Sequence, residues 1–381
     1  MTAAARYRMT DTLLAQGALA AGSCWADAFA TVPRETFVPV FTLRTVNGDK
    51  RVFEPGGEGY DEAVYTDTTL VTCWDAAGTP VSSSSQPSLM ARMLEAFTVP
   101  DAARVLEIGT GTGYNTALLC HRLGAEHVVS VDIDPELTAQ ARDRLRAAGY
   151  TPLMVTGDGT KGHADAAPYD GILATCGVDR IPTAWLAQVK PGGIIVTNVG
   201  NGVVRLTVRE DGGAEGAFLP EEAAFMRARP APDHVAARAG QFAGLVMGGS
   251  GASTTVRLPV PADEASTFLG ELVQATAMEI WMLHHDVLSM TLGDPEDGEL
   301  VHGLVHPATG SWARITPALG TDVTVEHGGP RDLFGERLAL MEQWAVAGRP
   351  QPGAYTLTVT AEGLHTLYRA EPATARWMLS A

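Results

Sequence analysis

The segment Val105–Leu119, VLEIGTGTGYNTALL, restricts the possible folds of this chain more than any other feature. A short apolar run ends at three glycines spaced two residues apart, and a helix-like stretch follows. Gly109 permits a tight turn, Gly111 lets the main chain approach a ligand, and Gly113 allows close packing of the helix. The glycine spacing alone does not establish a nucleotide-type site, so the neighbouring segments decide its meaning.

Residues 102–210 repeat this pattern of short apolar runs and helical stretches. The apolar runs are Arg104–Ile108, His127–Val131, Leu153–Thr156, Gly171–Ala174 and Gly193–Asn198, and the helical stretches are Asn115–Leu123, Pro135–Ala148 and Pro182–Val189. Strands that alternate with helices of this length predict a mostly parallel α/β sheet covered on both faces. Residues 203–209 alternate apolar and polar side chains and predict a further strand.

A change in composition divides the chain. Residues 210–216, DGGAEGA, are a turn-rich break, and 381 residues suffice for two domains or for one domain with a large appendage. We expect a ligand-binding unit at 1–217, with its core at about 80–210, and a C-terminal α+β appendage at 218–381. The appendage carries Pro and Gly clusters and helical patches such as Ala262–Ala277, whereas the glycine-rich residues 48–59 predict an exposed loop.

Charge and apolar content argue against two classes of partner. The formal net charge of −17 repels a phosphate backbone, so we expect no nucleic-acid partner. No window reaches the roughly 18–20 apolar residues that a membrane span needs, so we expect no membrane partner. Residues 1–22 have a basic and then an apolar character, but Asp11, Gln16 and Gly17 interrupt the apolar patch, which favours a helix over a signal peptide.

The cysteines and histidines predict no metal site. The cysteines are Cys24, Cys73, Cys120 and Cys176. They include no Cys-x-x-Cys pair, so a disulfide framework or zinc site is not expected, and a reducing cytoplasm fits. His284 and His285 are neighbours on a predicted strand and would face opposite ways, so we interpret them as structural, hydrogen-bonded residues. Trp281, Trp312 and Trp344 are predicted core residues.

Three carboxylates surround the glycine turn in sequence. The run HVVSVD ends at Asp132, whose carboxylate can accept hydrogen bonds from ribose hydroxyls. The next run leads into Asp158, within Gly157-Asp158-Gly159, which could take an adenine amino group; either aspartate alone could equally be a loop or cap residue. Glu107, just before the glycines, would repel a pyrophosphate but suits a cationic sulfonium with an ammonium group. The set favours S-adenosylmethionine over NAD.

Taken together, these segments resemble the protein-L-isoaspartate O-methyltransferase family. The resemblance is carried by VLEIGTGTGYNTALL, VVSVDIDPEL, GDG, YDGILATCGVDRIPTAWLAQVKPGG and, upstream, AFATVPRETFVP, and it covers residues 10–210 or so. It implies a class I, Rossmann-like methyltransferase with an N-terminal helical segment on the substrate side, which esterifies an isoaspartyl carboxylate. The implied cofactor-binding residues are Glu107, Gly109, Thr110, Gly111, Gly113, Asp132, Ile133, Gly157, Asp158 and Gly159.

A serine run, GTPVSSSSQPS at residues 78–88, precedes a predicted helix at Leu89–Phe97. Its composition alone predicts a loop with Ser88 near the helix N-terminus, where a hydroxyl can satisfy free amides. The resemblance implies instead a segment that holds the substrate carboxylate over the reactive methyl group. The implied catalytic residues are Ser83, Ser84 and Ser85, and the implied substrate contacts are Ser82, Gln86, Pro87, Ser88, Tyr65 and Cys176. On composition alone, Cys176 is a small buried residue.

The serine run departs from the family pattern. Gln86 and Ser88 stand where the family has alanine and histidine, and residues 1–120 contain no histidine. Together with the C-terminal extension, this resembles a branch of the family that acts on ribosomally made, modified peptides such as lanthipeptides, lasso peptides and graspetides. We therefore predict methylation of an aspartate in a cyclised peptide, which leads to aspartimide or isoaspartate.

The expected chemistry requires alignment more than a base. A carboxylate, with a reference pKa of about 4, is already a nucleophile at neutral pH, so the protein must mainly align oxygen, methyl and sulfur. One alternative is repair of isoaspartyl proteins. Another is a catalytically weak peptide-binding protein on a methyltransferase scaffold, and a third is small-molecule O-methylation, which would need a base for a hydroxyl acceptor. We expect a monomer.

Overall fold

The computed structural model describes residues 2–44, 50–76, 78–231, 237–293, 300–371 and 374–379. These residues form a ten-stranded main sheet, a four-stranded N-terminal sheet and a five-stranded C-terminal sheet. Single turns of 3-10 helix lie at Ala125–His127, Gly159–Lys161, Ala164–Ala166, Ala239–Phe242 and Pro352–Ala354. In this described part of the chain, no helix is both long and apolar enough to cross a membrane.

An N-terminal segment covers one end of the main sheet. Its helices are α1 (Thr2–Ala15), α2 (Ala26–Thr31), α3 (Arg34–Phe37), α4 (Tyr60–Ala63) and α5 (Pro87–Ala96). Its strands are β1 (Phe41–Arg44), β2 (Lys50–Phe53), β3 (Leu70–Trp74) and β4 (Pro80–Ser84), in the sheet order β2-β1-β3-β4. The expected loop at residues 48–59 is therefore wrong at β2, which pairs with β1 and stacks the Phe53 ring 5.1 Å from that of Phe41; residues 48 and 49 lie outside the described residues.

The central part of the chain builds the parallel half of the main sheet. Its strands are β5 (Val105–Ile108), β6 (Val128–Asp132), β7 (Leu153–Thr156), β8 (Tyr169–Val178), β9 (Val189–Val199), β10 (Gly202–Val208) and β11 (Ala214–Glu222). Its helices are α6 (Tyr114–Leu123), α7 (Pro135–Ala147) and α8 (Thr183–Gln188). Strands β5 to β9 are parallel, whereas β10 and β11 are antiparallel. The predicted alternation of strands and helices is confirmed.

The strand order creates a crevice at the carboxyl end of β5. The order is β9-β8-β5-β6-β7, so the chain leaves β5 towards β6 on one side and reaches β8 on the other. In open α/β sheets, ligands bind outside the carboxyl ends of the strands where the strand order reverses. The glycine turn after β5 lies at this point.

The C-terminal part combines a separate sheet with an extension of the main sheet. Its helices are α9 (Ala243–Gly248), α10 (Ala265–Gln274), α11 (Met278–His284) and α12 (Leu333–Val346). Strands β12 (Ala252–Arg257), β13 (Leu288–Leu292), β14 (Val301–His306), β15 (Ser311–Pro317) and β16 (Asp322–Gly328) form the C-terminal sheet in the order β12-β16-β15-β14-β13. Strands β17 (Tyr355–Val359), β18 (His365–Arg369) and β19 (Ala375–Leu379) extend the main sheet from β11.

This topology corrects the expected division of the chain at 217 and 218. That boundary falls inside β11, and β17 pairs with β11, so the last strands of the chain belong to the main sheet. Within the C-terminal part, a buried ion pair joins β18 of the main sheet to α11, since Arg369 Nη1 lies 2.9 Å from Glu279 Oε1. Tyr355 Oη donates to the same carboxylate oxygen at 2.7 Å. Pairing between distant segments cannot be read from local composition.

His284 and His285 lie at the end of a helix, not on a strand as expected. Helix α11 ends at His284, and its buried Met278 and Trp281 have the spacing of one helical face. His284 Nε2 lies 2.9 Å from a carboxylate oxygen of Glu336, which agrees with a hydrogen-bonded role. The three tryptophans predicted as core are buried, namely Trp281, Trp312 and Trp344.

Candidate active site

A cavity of about 970 Å³ lies at the carboxyl ends of β5, β6 and β8. The glycine turn, the serine run and the end of β6 form its walls, together with residues 224–229 of the C-terminal part, which we call the strap. Pockets for small ligands commonly span ~300–1,000 Å³, so this cavity has room for a nucleoside and for part of a second molecule.

The glycine turn has the geometry that its sequence predicts. Gly109, Gly111 and Gly113 have φ angles of +94°, +52° and +87°, a region that L side chains rarely adopt. A Cβ atom on Gly113 would lie 3.2 Å from the Cβ atom of Ala141 in α7. One on Gly109 would lie 3.0 Å from Thr175 Oγ1. The turn is therefore packed closely against α7 and β8.

Asp132 joins the end of β6 to the glycine turn. Its Oδ2 accepts a hydrogen bond from the Gly111 amide at 2.8 Å, and its Oδ1 accepts one from the Asp134 amide at 3.0 Å. The residue is only 8% exposed and lines the cavity beside Ile133. Burial raises the pKa of this carboxyl, and the charge of Arg229 in the strap opposes that rise. Asp132 is therefore placed where ribose hydroxyls could donate to it.

Glu107 lies beneath the glycine turn and not in the wall of the cavity, where a ligand contact was expected. Its carboxylate accepts hydrogen bonds from the Asn115 amide, the Thr116 hydroxyl and the Ser130 hydroxyl. It is fully buried, and burial raises its pKa to about 7. Strand alternation explains the difference, because it directs the Glu107 side chain to the face of the sheet that α6 covers. Glu107 therefore supports the turn from behind through these hydrogen bonds.

The raised pKa of Glu107 predicts a pH-dependent stability in the free protein. Because the folded value of about 7 exceeds the ordinary 4.5, the folded state holds the proton more tightly than the unfolded state. This stabilisation is complete below about pH 4.5 and is lost as the pH rises through about 7, with a total on the order of 3 kcal/mol. Glu107→Gln should remove this dependence. Urea unfolding of both proteins at pH 5 and pH 8 checks it, and equal losses of stability in both would contradict it.

The second glycine turn contributes less of the wall than expected. Gly159 lines the cavity, whereas Gly157 and Asp158 do not. Asp158 Oδ1 accepts hydrogen bonds from the Thr160 amide at 3.0 Å and from the Thr160 hydroxyl at 2.6 Å. One carboxylate oxygen thus caps a 3-10 turn, and a contact from this residue to adenine stays a prediction. In the first turn, Thr110 lines the cavity and its hydroxyl lies 2.6 Å from that of Ser130.

The serine run forms a strand, not the loop that its composition predicts. Strand β4 pairs antiparallel with β3, and the four serines Ser82, Ser83, Ser84 and Ser85 all contribute to the cavity wall. A Cβ atom on Gly111 would lie 3.7 Å from the Ser83 carbonyl oxygen and 3.8 Å from Ser82 Oγ. The serine strand therefore lies beside the glycine turn at van der Waals distance, and both line the same cavity. Ser84 is buried, and its hydroxyl accepts hydrogen bonds from Arg34, so it supports the wall.

Four of the expected substrate contacts lie behind this wall. Gln86, Pro87, Ser88 and Tyr65 are absent from the lining of the cavity. Helix α5 begins at Pro87 and turns away, and Asp67 accepts hydrogen bonds from the Ser88 amide at 2.8 Å and from Gln86 Nε2 at 3.4 Å. Asp67, not the Ser88 hydroxyl, therefore caps the first turn of this helix. The Tyr65 hydroxyl is engaged with the Glu35 carboxylate and the Arg34 amide.

The cavity wall also contains polar side chains that no sequence motif indicated. Tyr114 and Asn115 line the cavity directly after the glycine turn. Tyr114 Oη and Asn115 Oδ1 are buried and find no hydrogen-bond partner within the described residues, and buried polar atoms normally have one. Cys176 also lines the cavity, but burial raises the pKa of its thiol to about 12. It is therefore a neutral thiol at physiological pH and not a nucleophile.

The strap crosses the carboxyl ends of β8 and β9. Gly177 of β8 exchanges two main-chain hydrogen bonds of 2.8 Å with the strap residues Met226 and Ala228. Arg227 lies 3.0 Å from Asp179 at the end of β8 and also donates to the His285 carbonyl at 3.2 Å. The C-terminal part thus reaches the cavity and is fixed there. Residues 223–229 have no periodic pattern that could have indicated this.

An ion pair closes the cavity between the strap side and the serine side. Arg238, shortly after the strap, contacts the carboxylate of Asp75, which lies between β3 and β4. Both residues line the cavity, and about a third of each side chain is exposed. We call this pair the clasp.

Comparison with known proteins assigns the family. Residues 6–218 match the family described as protein-L-isoaspartate(D-aspartate) O-methyltransferase. The chain belongs to this family. A protein-L-isoaspartate O-methyltransferase of Ignicoccus hospitalis is 39% identical over 176 residues, which is 46% of this chain and 72% of that protein. One of Koribacter versatilis is 38% identical over 198 residues, which is 51% of this chain and 77% of that protein.

The fold extends the similarity into the C-terminal part. A solved structure of a protein-L-isoaspartate O-methyltransferase covers 96% of this chain and 99% of its own, with a TM-score of 0.53 and 23% identity. This likeness establishes a shared fold over both parts of the chain. The predicted class I α/β fold, the family and the enzyme class are confirmed: the protein is an S-adenosylmethionine-dependent carboxyl O-methyltransferase.

The residues of the cavity fit this cofactor. The glycine turn leaves a cradle that a side chain at Gly111 would narrow. Asp132 lies at its edge, and two buried oxygen atoms, Tyr114 Oη and Asn115 Oδ1, lack partners among the described residues. Glu107 holds the start of α6 behind the turn through Asn115 and Thr116.

Proposed function

We propose that this protein transfers a methyl group to the free carboxylate of an isoaspartyl residue in a peptide or protein. The observation that carries the proposal is that the serine strand and the glycine turn lie side by side and line one cavity. The names of its relatives favour this substrate over an ordinary aspartate. We expect a monomer that acts in the cytoplasm. Methyl incorporation into an isoaspartyl peptide, compared with the same peptide containing L-aspartate, tests the proposal.

The chain has to orient the acceptor and needs no proton transfer. When bound, S-adenosylmethionine supplies an electrophilic methyl group on a sulfonium. An acceptor carboxylate, with a reference pKa of about 4, is ionised at neutral pH. Ser83 and Ser85 offer hydroxyls along the wall, and hydroxyl donors can fix a carboxylate without removing a proton from it. The protonated thiol of Cys176 does not compete for the methyl group.

Methylation of an aspartate in a macrocyclic peptide is the competing, finer hypothesis. Its motivation is the glutamine and serine at 86 and 88, where the family has alanine and histidine. Both residues lie outside the cavity lining and interact with Asp67, so their identity has no direct effect on the substrate wall. The C-terminal part no longer favours this hypothesis, because a repair-type fold shares it. We therefore place isoaspartyl peptides first.

We also propose that the C-terminal part recognises the peptide through the strap. Its first residues supply Phe225, Met226 and three arginines, Arg227, Arg229 and Arg238, to one wall of the cavity. Apolar and cationic groups together suit a peptide chain that carries a carboxylate. The strap and the serine strand line the same cavity, so a peptide bound along the serines would lie near the strap.

Substitutions in the clasp should weaken binding of the peptide and leave binding of the cofactor unchanged. Arg238→Asp or Asp75→Arg places like charges together, which opens the mouth and should raise the peptide KM about five-fold, the equivalent of ~1 kcal/mol for a partly exposed pair. We expect kcat and the affinity for S-adenosylhomocysteine to stay unchanged.

The double variant Asp75→Arg with Arg238→Asp restores opposite charges and serves as the control. We expect its peptide KM to return towards the wild-type value. If the double variant is as impaired as the two single variants combined, the clasp does not form the substrate mouth.

A further inference from the structure

Arg34 is a fully buried arginine whose hydrogen bonds organise the serine strand from behind. It follows α2 at the start of α3, and none of its surface is exposed. Its Nη2 donates to the Ser85 carbonyl at 3.0 Å and to Ser84 Oγ at 3.2 Å, and its Nε also donates to Ser84 Oγ at 3.2 Å. The opposite side of the guanidinium donates to the carbonyls of Val64 and Thr66 at 3.0 and 3.1 Å.

The charge of Arg34 has no carboxylate in direct contact. All hydrogen-bond acceptors of its guanidinium in the described part of the chain are carbonyl or hydroxyl oxygens. Burial lowers its pKa to about 10, with Asp67 among the nearby groups that oppose this effect. The side chain is therefore still cationic at neutral pH. A buried charge is costly unless something compensates it, so this arrangement calls for an explanation.

The location of the charge supplies that explanation. The Ser85 main chain accepts directly from Arg34, and Ser85 lines the cavity opposite the glycine turn. The guanidinium is thus separated from the acceptor side of the cavity by a single strand. Charges interact strongly through buried, poorly polarisable surroundings. An anion bound along the serines would add to the compensation that the oxygen acceptors and the more distant Asp67 charge supply to Arg34.

We propose that Arg34 is a positioning residue for methyl transfer, which fixes the serine strand by its planar fork and favours an anionic acceptor by its charge. This inference rests on the proposed function, since it assumes that the acceptor carboxylate binds along the serine strand. Its two parts are separable. Lysine keeps the charge but loses the fork, whereas glutamine loses the charge and keeps two donors.

Arg337 provides a matched structural control. It is also fully buried, and it donates to the carbonyls of Leu272, Val273 and Val287 and to the Ser289 hydroxyl. Burial lowers its pKa to about 10 as well. It lies in α12 of the C-terminal part and does not line the cavity. Replacing Arg337 therefore removes a buried guanidinium that is bound to carbonyls, as replacing Arg34 does, but it leaves the cavity unchanged.

The test compares the binding of a charged and a neutral acceptor. The dissociation constants of an isoaspartyl peptide and of its carboxamide analogue are measured for enzyme saturated with S-adenosylhomocysteine. We expect wild type to prefer the carboxylate by about ten-fold or more. Arg34→Gln should bring that ratio close to one. Arg34→Lys should keep the preference and lower kcat about ten-fold, because the serine strand loses its fork.

Several outcomes would overturn the inference. One is an equal loss of affinity for both peptides in Arg34→Gln, and another is a kcat of Arg34→Lys equal to wild type. A third is a loss of kcat/KM in Arg337→Gln as large as that in Arg34→Gln. If Arg34→Gln does not fold, Arg34→Lys still tests the inference through kcat and the preserved preference. If the wild-type enzyme fails to methylate the isoaspartyl peptide, the proposed function itself is wrong.

Discussion

Asp132→Ala is expected to lower the affinity for S-adenosylhomocysteine by about 100-fold or more. The carboxylate accepts from the Gly111 amide at 2.8 Å and lines the cavity, so its loss removes a support of the glycine turn and the acceptor that we propose for ribose hydroxyls. Hydrogen bonds to a charged group contribute ~1.5–3 kcal/mol each, and two of them account for this factor. Isothermal titration calorimetry with S-adenosylhomocysteine measures the loss.

Asp134→Ala is the matched control for this substitution. Asp134 lies two residues further along the same loop, and its side chain accepts from the amides of Glu136 and Leu137 at 2.9 and 3.1 Å as the N-cap of α7. Its loss should cost ~1 kcal/mol of stability, as for other helix caps, with little change in cofactor affinity. Equal losses of affinity in the two variants would mean that Asp132 acts only through the loop.

Gly111→Val should abolish methyl transfer by obstructing the cleft. The Cβ atom would lie 3.7 Å from the Ser83 carbonyl, and the valine methyl groups would extend further into the space between the two walls. The φ of +52° adds strain for a β-branched residue. Because a displacement of ~1 Å in a reacting geometry can cost about 100-fold in rate, we expect at least that loss in kcat/KM.

Gly149→Val separates obstruction from strain. Gly149 follows α7 with a φ of +87°, and a Cβ atom there would meet nothing within 4 Å. Both variants should lose ~1–3 kcal/mol of stability from the unfavourable backbone angle, and only Gly111→Val should lose activity. Thermal unfolding and initial rates on the same preparations make the comparison. If the Gly111→Val variant is active, the cofactor does not bind at this glycine turn.

The methyltransferase core was predictable because its signals are local. Strand β7 has the predicted bounds Leu153–Thr156, and helix α7 differs from its prediction only in ending at Ala147. Proline at the first position of α7 and aspartate at its N-cap indicate the start of this helix in the sequence. The glycine turn needs positive φ angles and close packing, and these requirements select glycine whatever the rest of the chain does.

The substrate side was less predictable because it depends on pairing over long distances. Four consecutive serines show no apolar alternation, yet β4 becomes a strand through its main-chain pairing with β3. Arg34 acts on residues 30 to 51 positions away, and the strap reaches β8 from the far side of β11. Helix α11 was misread as a strand because short apolar runs do not distinguish the two.

The placement of Glu107 shows a different limit. Its position before the glycines favoured S-adenosylmethionine, which the family supports, but the sequence could not show that the carboxylate is fully buried and held by other side chains. The hydroxyls and amide that hold it come from α6 and β6, and only the assembled fold brings them together. A charge can therefore be read from sequence before its contacts can.

The central claim is that the acceptor is an isoaspartyl carboxylate held along the serine strand. Mass spectrometry after incubation with S-adenosylmethionine tests it most directly, with three substrates in parallel: a linear isoaspartyl peptide, its L-aspartyl counterpart and a macrocyclic aspartyl peptide. We expect a gain of one methyl group on the isoaspartyl peptide, followed by loss of methanol as the ester cyclises. Methylation of the macrocyclic aspartyl peptide alone would contradict it and would assign the enzyme to peptide tailoring.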